Sequence, residues 1–260
     1  MRKSFMRVAL LHLDLSGGPQ SDNIKKLRQA IATAVQGGAT WVITPETALQ
    51  GYFFALNDGL QSDHGWTAAV KEFCRLAAEY RITLFLGCAE QDTLSENWYN
   101  SCLVIGPEGQ IIGRHRKLRS HGDAEQWAAK GKVLTPVACA ELTAGILICA
   151  DSWYVNNAIG LKEQGAQVII VPAAWPPGKC GPGDCWEACS RNTHLPVWVC
   201  NQTGNRERFD FSQAESVVIV QGKKALDYRG LEPAVLVFDW DFTEQRLVSK
   251  HFTILSPEAG

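Results

Sequence analysis

The sequence predicts an α/β protein, and three observations carry that prediction. Apolar segments of strand length alternate with amphipathic segments of helical period through most of the 260 residues. Glycine, proline and polar clusters punctuate the junctions. No internal repeat, low-complexity tract or linker divides the chain, so one domain spanning 1–260 is expected.

The elements come in a clear order. "MRVALLHL" is a strand, "DNIKKLRQAIATAVQGG" an amphipathic helix closed by glycines, and "TWVITPE" a second strand. "HGWTAAVKEFCRLAAEY" places Trp66, Val70, Phe73, Leu76 and Ala77 at helical spacing, and the strand "ITLFLGCAE" comes next. "NWYNSCLVIGPEGQIIGRHRKL" breaks the rhythm and predicts an antiparallel hairpin over the turn Pro107-Glu108-Gly109. Further on, "PVACAELTAGILIC" adds strands, "VNNAIGLKEQGA" a helix, "VIIVPAAW" a strand, "GDCWEACSRNTH" a helix and "PVWVCNQTG" a strand. "ESVVIVQGKKALDY" and "PAVLVFDWDF" close the chain as further strands.

Charge narrows the classes of partner. Lys plus Arg number 25 against 27 Asp plus Glu, a net charge of −2, so nothing in the totals favours nucleic acid or an anionic membrane. A neutral small molecule fits better. The basic start runs into an apolar stretch that His12 and Asp14 interrupt, which predicts a strand and not a leader. No segment approaches the roughly 20 apolar residues of a membrane-spanning helix. A cytoplasmic protein is expected.

The nine cysteines fit that compartment. Their number is odd and most sit in apolar segments, as reduced core thiols do. "KCGPGDCWEAC" clusters Cys180, Cys185 and Cys189, but its gaps do not match the paired spacing of zinc ribbons, so no metal and no cofactor is expected. The proline- and glycine-rich "PPGKCGPGD" predicts a rim loop that carries these cysteines to the surface. There is no dinucleotide fingerprint, no phosphate-binding loop and no Gly-x-Ser-x-Gly elbow.

Three polar residues stand where strands end, which is where α/β proteins place chemistry. Glu46 closes "WVITPE", Lys117 closes "IIGRHRK" and Cys149 closes "GILIC". Each alone has an ordinary explanation: a solvated carboxylate, one charge in the basic run 114–119, one more core thiol. Together they form a nucleophilic set. A thiol is mostly protonated at neutral pH and needs a base, which Glu46 supplies, while Lys117 and the N–H of Ala150 serve an oxyanion.

In that chain order the three segments resemble the nitrilase superfamily of carbon–nitrogen hydrolases, on "WVITPETALQGY", "GRHRKL" and "GILICADSW". Similarity continues through "GAQVIIVPAAWP", "NTHLPVWVCNQTG" and "AESVVIVQG". The resemblance implies an α-β-β-α sandwich that forms homodimers or larger assemblies, a Glu-Lys-Cys triad and a thioester at Cys149. It also implies a second glutamate that positions substrate and water. Glu125, eight residues past Lys117, is the candidate, with Asp123 the alternative.

Departures bear on the substrate. Nitrile-hydrolysing members carry Trp-Glu after the nucleophile, whereas Ala150 and Asp151 stand here; "DSWYVNN" and "CSRNTH" replace two other family signatures. A small linear amide is the expected substrate, with N-carbamoyl amines or nitriles as alternatives, acyl transfer to an amine left open, and a non-catalytic scaffold as the alternative of another class. Tyr52, Trp153 and Trp175 are the expected walls of the pocket, with Tyr154 beside them.

Overall fold

A computed structural model of the chain describes residues 5–15, 19–57, 66–120, 125–205 and 210–257. Its first half runs β1 (Phe5–His12), α1 (Gln20–Gln36), β2 (Trp41–Ile43), α2 (Phe54–Asn57), α3 (Trp66–Tyr80), β3 (Thr83–Gln91), β4 (Trp98–Ile105) and β5 (Ile111–Arg116). The second runs β6 (Val137–Ala138), β7 (Thr143–Ile146), a 3-10 turn (Cys149–Trp153), α4 (Val155–Glu163), β8 (Val168–Ala173), α5 (Cys185–Thr193), β9 (Val197–Asn201), β10 (Glu215–Val220) and β11 (Lys223–Arg229). Strands β12 (Ala234–Asp241), β13 (Arg246–Leu247) and β14 (Thr253–Leu255) return to the first half.

Two sheets result. One has the order β13-β12-β1-β2-β3-β4-β5 with β14 also on β12, and the other β11-β10-β9-β8-β7-β6. In each, three central strands are parallel, β1-β2-β3 and β7-β8-β9, and a hairpin extends them.

Period-2 alternation sorts the first sheet's side chains. Val8, Leu10, Trp41, Ile43, Phe85 and Val104 pack with Ile146, Val168, Val197 and Val217 of the second sheet. Ala9, Leu11, Val42, Leu84 and Leu103 face outward and pack with Leu27, Ile31, Phe73 and Leu76 of α1 and α3. Helices α4 and α5 cover the outer side of the second sheet, contributing Ala158, Leu161, Trp186 and Cys189. The layers are therefore α-β-β-α, as the resemblance implied.

Helix α1 shows the local logic. Leu27, Ala30, Ile31 and Ala34 recur at helical spacing and are buried, Pro19 precedes the first turn, and Gly38 at φ +84° ends it where an L side chain is strained. Burying Leu27 and Ile31 is worth about 1.5–3 kcal/mol each. Among the described residues no helix is long and apolar enough to cross a membrane.

Candidate active site

The parallel strands of both sheets end on the same side, and the chain turns inward from them. β2 ends at Ile43, and Thr44 anchors the loop beyond it: its N–H donates to Phe85 O (3.0 Å) and its hydroxyl accepts the Gly87 N–H (2.8 Å). The loop then crosses β3 so closely that a Cβ on Gly87 would lie 2.0 Å from Pro45 O. Only glycine fits there, and the crossing carries Glu46 into the interior at 1% exposure.

Lys117 comes directly after β5. Its N–H donates to Asn100 O (2.7 Å) on neighbouring β4, and its carbonyl accepts the Gly131 N–H (2.8 Å). A Cβ on Gly131 would meet Arg116 O at 2.0 Å, so this segment too needs glycine to lie against the lysine.

Cys149 sits three residues beyond β7, not on it. Its φ of +49° breaks the strand and starts the 3-10 turn, a conformation that costs a non-glycine residue about 1–3 kcal/mol. Asp151 holds that turn. One carboxylate oxygen accepts the N–H groups of Leu118 (3.0 Å) and Arg119 (3.2 Å), and the other accepts the N–H of Ile148 (3.3 Å) and pairs with His115 Nε2 (2.9 Å). Asp151 thus ties the cysteine's turn to the residues just past Lys117.

The side chains meet in one buried cluster. Lys117 Nζ donates to Glu46 Oε1 (2.5 Å) and to Glu125 Oε1 (2.6 Å). Glu46 Oε1 also accepts from Asn100 Nδ2 (2.7 Å), and Glu46 Oε2 accepts the Ala174 N–H (3.0 Å) from the end of β8. Tyr52 donates its hydroxyl to Glu125 Oε1 (3.0 Å). An ammonium has three N–H bonds, and among the described residues the two carboxylates leave one for a ligand.

Two carboxylates around one ammonium set the electrostatics. Burial pushes the Glu46 carboxyl up to about 7, with Lys117 opposing it and Glu125 adding to it. For Lys117 burial pulls downward, but Glu46, Cys149 and Glu125 together hold it well above the usual lysine value. Burial and then Glu46 drive the Cys149 thiol well above the usual range, against Lys117 and the Ala174 N–H. Cys149 therefore rests as a thiol, beside a carboxyl that is near its own midpoint at neutral pH.

A cavity of about 300 Å³ opens over this cluster, lined by Tyr52, Ala174, Trp175, the strap 176–181 and Asp210. Two larger surface cavities of about 450 Å³ lie elsewhere, beside Arg114 and Lys132 and beside Phe5 and Phe242; among the described residues none of the three is lined by Glu46, Lys117, Glu125 or Cys149, and only the smaller one is lined by residues bonded to the cluster's carboxylates, Tyr52 to Glu125 and Ala174 to Glu46. The cluster, not cavity size, marks the site.

Glu46, Lys117, Cys149, Glu125 and Tyr52 are thus brought together, Ala150 follows Cys149 on the 3-10 turn, and Asp123 lies outside the described residues. Trp175 lines the cavity; Trp153 packs edge-on behind it (5.0 Å between centroids) and is 42% exposed. The surface cysteine cluster is corrected. Cys180 is exposed on the strap, but α5 turns Cys185 and Cys189 inward as part of its buried face. Sequence reasoning missed Asp151, Asn100 and the Ala174 N–H. The one available signal was an acid or amide inside an otherwise buried run, which has to find a partner.

The carbon-nitrogen hydrolase family model matches residues 7–229. A glutamine-dependent NAD(+) synthetase of Thermotoga maritima is 25% identical over 258 residues, 94% of this chain and 43% of the synthetase, so the chain spans less than half of that relative. An omega-amidase of Mus musculus is 24% identical over 268 residues, 97% of this chain and 94% of its own. The crystal structure of an amidase from Nesterenkonia sp. superposes with a TM-score of 0.83 at 23% identity, covering 95% of each chain.

Proposed function

The chain belongs to the carbon-nitrogen hydrolase family, and on that premise we propose that it hydrolyses the C–N bond of a small linear amide through a thioester at Cys149. The observation that carries this reading is the buried ammonium of Lys117 held between Glu46 and Glu125 beside the strained turn of Cys149.

In the first half-reaction the Cys149 sulfur attacks the carbonyl carbon while its proton passes to Glu46, and the C=O electrons move onto oxygen. The free N–H of Lys117 and the backbone N–H of Ala150 receive that oxyanion, the kind of contact that lowers a barrier by several kcal/mol. The proton on Glu46 goes to the leaving nitrogen as the C–N bond breaks, giving the thioester and free amine. Water then attacks the thioester, Glu46 takes its proton and returns it to sulfur, and the acid leaves. Glu125 anchors Lys117 and accepts from Tyr52, which lines the cavity where water and substrate enter.

Ala150 and Asp151 in place of Trp-Glu favour amides over nitriles. Relatives described as an omega-amidase and a 2-oxoglutaramate amidase, each matched over nearly their whole length, point the same way. A retired scaffold has no need of a buried ammonium fixed between two carboxylates.

Ammonia release from a panel of small primary amides, N-carbamoyl amines and nitriles tests the reading. Turnover is expected on amides and absent in Cys149→Ala with unchanged fold. Preferred turnover of nitriles, or activity that survives Cys149→Ala, would refute it.

A further inference from the structure

Asn100 on β4 occupies an unusual position. It is 1% exposed, its carbonyl accepts the Lys117 N–H (2.7 Å), and its side-chain Nδ2 donates to Glu46 Oε1 (2.7 Å). One residue thereby holds two members of the cluster. The orientation of its amide is fixed by chemistry, because turning it over would set its oxygen against a carboxylate oxygen. Its Oδ1 is buried and has no hydrogen-bond partner among the described residues. A buried acceptor left unpaired is rare and costly, so this atom is owed a donor.

The geometry points to Asn100 as a substrate-binding residue whose Oδ1 accepts an N–H of the scissile carboxamide while Nδ2 holds Glu46. The inference rests on the amidase reading above. Glu46 Oε1 is filled by Lys117 and Asn100, whereas among the described residues Oε2 accepts only the Ala174 N–H, so the proton taken from Cys149 lands on Oε2. The leaving nitrogen must approach that carboxyl to receive the proton. Asn100 Oδ1, fixed beside the same carboxylate, grips one N–H and so aims the nitrogen lone pair at the Oε2 proton. An ester has no N–H to offer, and Asn100 becomes a source of selectivity for amides over esters.

The test compares kcat/KM for propionamide and methyl propionate in the wild type, Asn100→Leu and Asn100→Asp. Asn100→Leu is expected to lose about 100-fold on the amide and about tenfold or less on the ester, so that the amide-to-ester ratio drops by about tenfold or more. The ester loss reports the weakened hold on Glu46. Its companion is an acidic limb moved to higher pH, since the Asn100 N–H favours the Glu46 carboxylate while Lys117, Glu125 and Cys149 still face it. Asn100→Asp keeps an acceptor and is expected to hold the ratio within about threefold of wild type while slowing both substrates. Asn100→Ser reads the same ratio should the leucine variant fail to fold. Equal losses on amide and ester overturn this inference alone; a wild type that processes neither overturns the amidase reading with it.

Discussion

Cys149 and the pair Cys185 and Cys189 are buried thiols joined through one serine. Ser152 donates its hydroxyl to Cys149 O (2.7 Å), sits 3.6 Å from Cys185 Sγ, and accepts on its carbonyl from Cys189 Sγ (3.3 Å). Burial pushes both α5 thiols up to about 12, and it pushes Cys149 well above the usual thiol range. Burial alone therefore makes all three inert. What separates Cys149 is its company: a carboxyl poised near pH 7, an ammonium and a backbone strained at φ +49°, where Cys185 has a serine and the acids Glu187 and Asp184, which only raise it further. On the proposed mechanism, reactivity at this site is a property of the acceptor for the proton, not of the sulfur.

Asp151 offers the strongest way to break that difference. It holds the cysteine's turn against the residues past Lys117, so Asp151→Asn, of equal shape but without the charge, should lower kcat/KM by about 100-fold with the thiol still present. Steady-state kinetics beside a thermal melt check it; an unchanged rate would show that the turn holds itself.

A pH profile comes next. Glu46 must be ionised to take the thiol proton, and burial raises it from 4.5 to about 7, so kcat/KM should climb as pH rises through about 7 and fall tenfold per unit below it. A limb near 4.5 instead would mean that the base is not the buried carboxyl. The smallest effect belongs to the other thiols. Cys185→Ala and Cys189→Ala should keep activity within about threefold and cost about 1–2 kcal/mol of stability through lost packing, measured by denaturant melts.

How far the sequence foretold this contrast differs along the chain. The strands and helices were legible because their periodicity is local, and Glu46, Lys117 and Cys149 were legible because each stands at the end of a strand-like segment. Asp151 and Asn100 were not, because their roles depend on neighbours 33 residues away, at Leu118, and 54 away, at Glu46. The end of β7 was misplaced by three residues for a related reason: apolar Leu147 and Ile148 extend the strand pattern, and no composition rule announces the positive φ of Cys149. The glycines and prolines of the strap pointed to a surface loop and say nothing of the helix beyond it, which buries Cys185 and Cys189 and leaves Cys180 outside.

That exposed Cys180 makes general alkylation a poor probe, since accessibility alone would label it first. Acylation by substrate is the direct test of the thioester. The protein is mixed with propionamide or methyl propionate, quenched in acid, and its peptides are mapped by mass spectrometry. A propionyl group on Cys149, with Cys180, Cys185 and Cys189 unmodified, is the predicted result; hydrolysis that proceeds with no acyl group on Cys149 from either compound, or with the group on another cysteine, would contradict it.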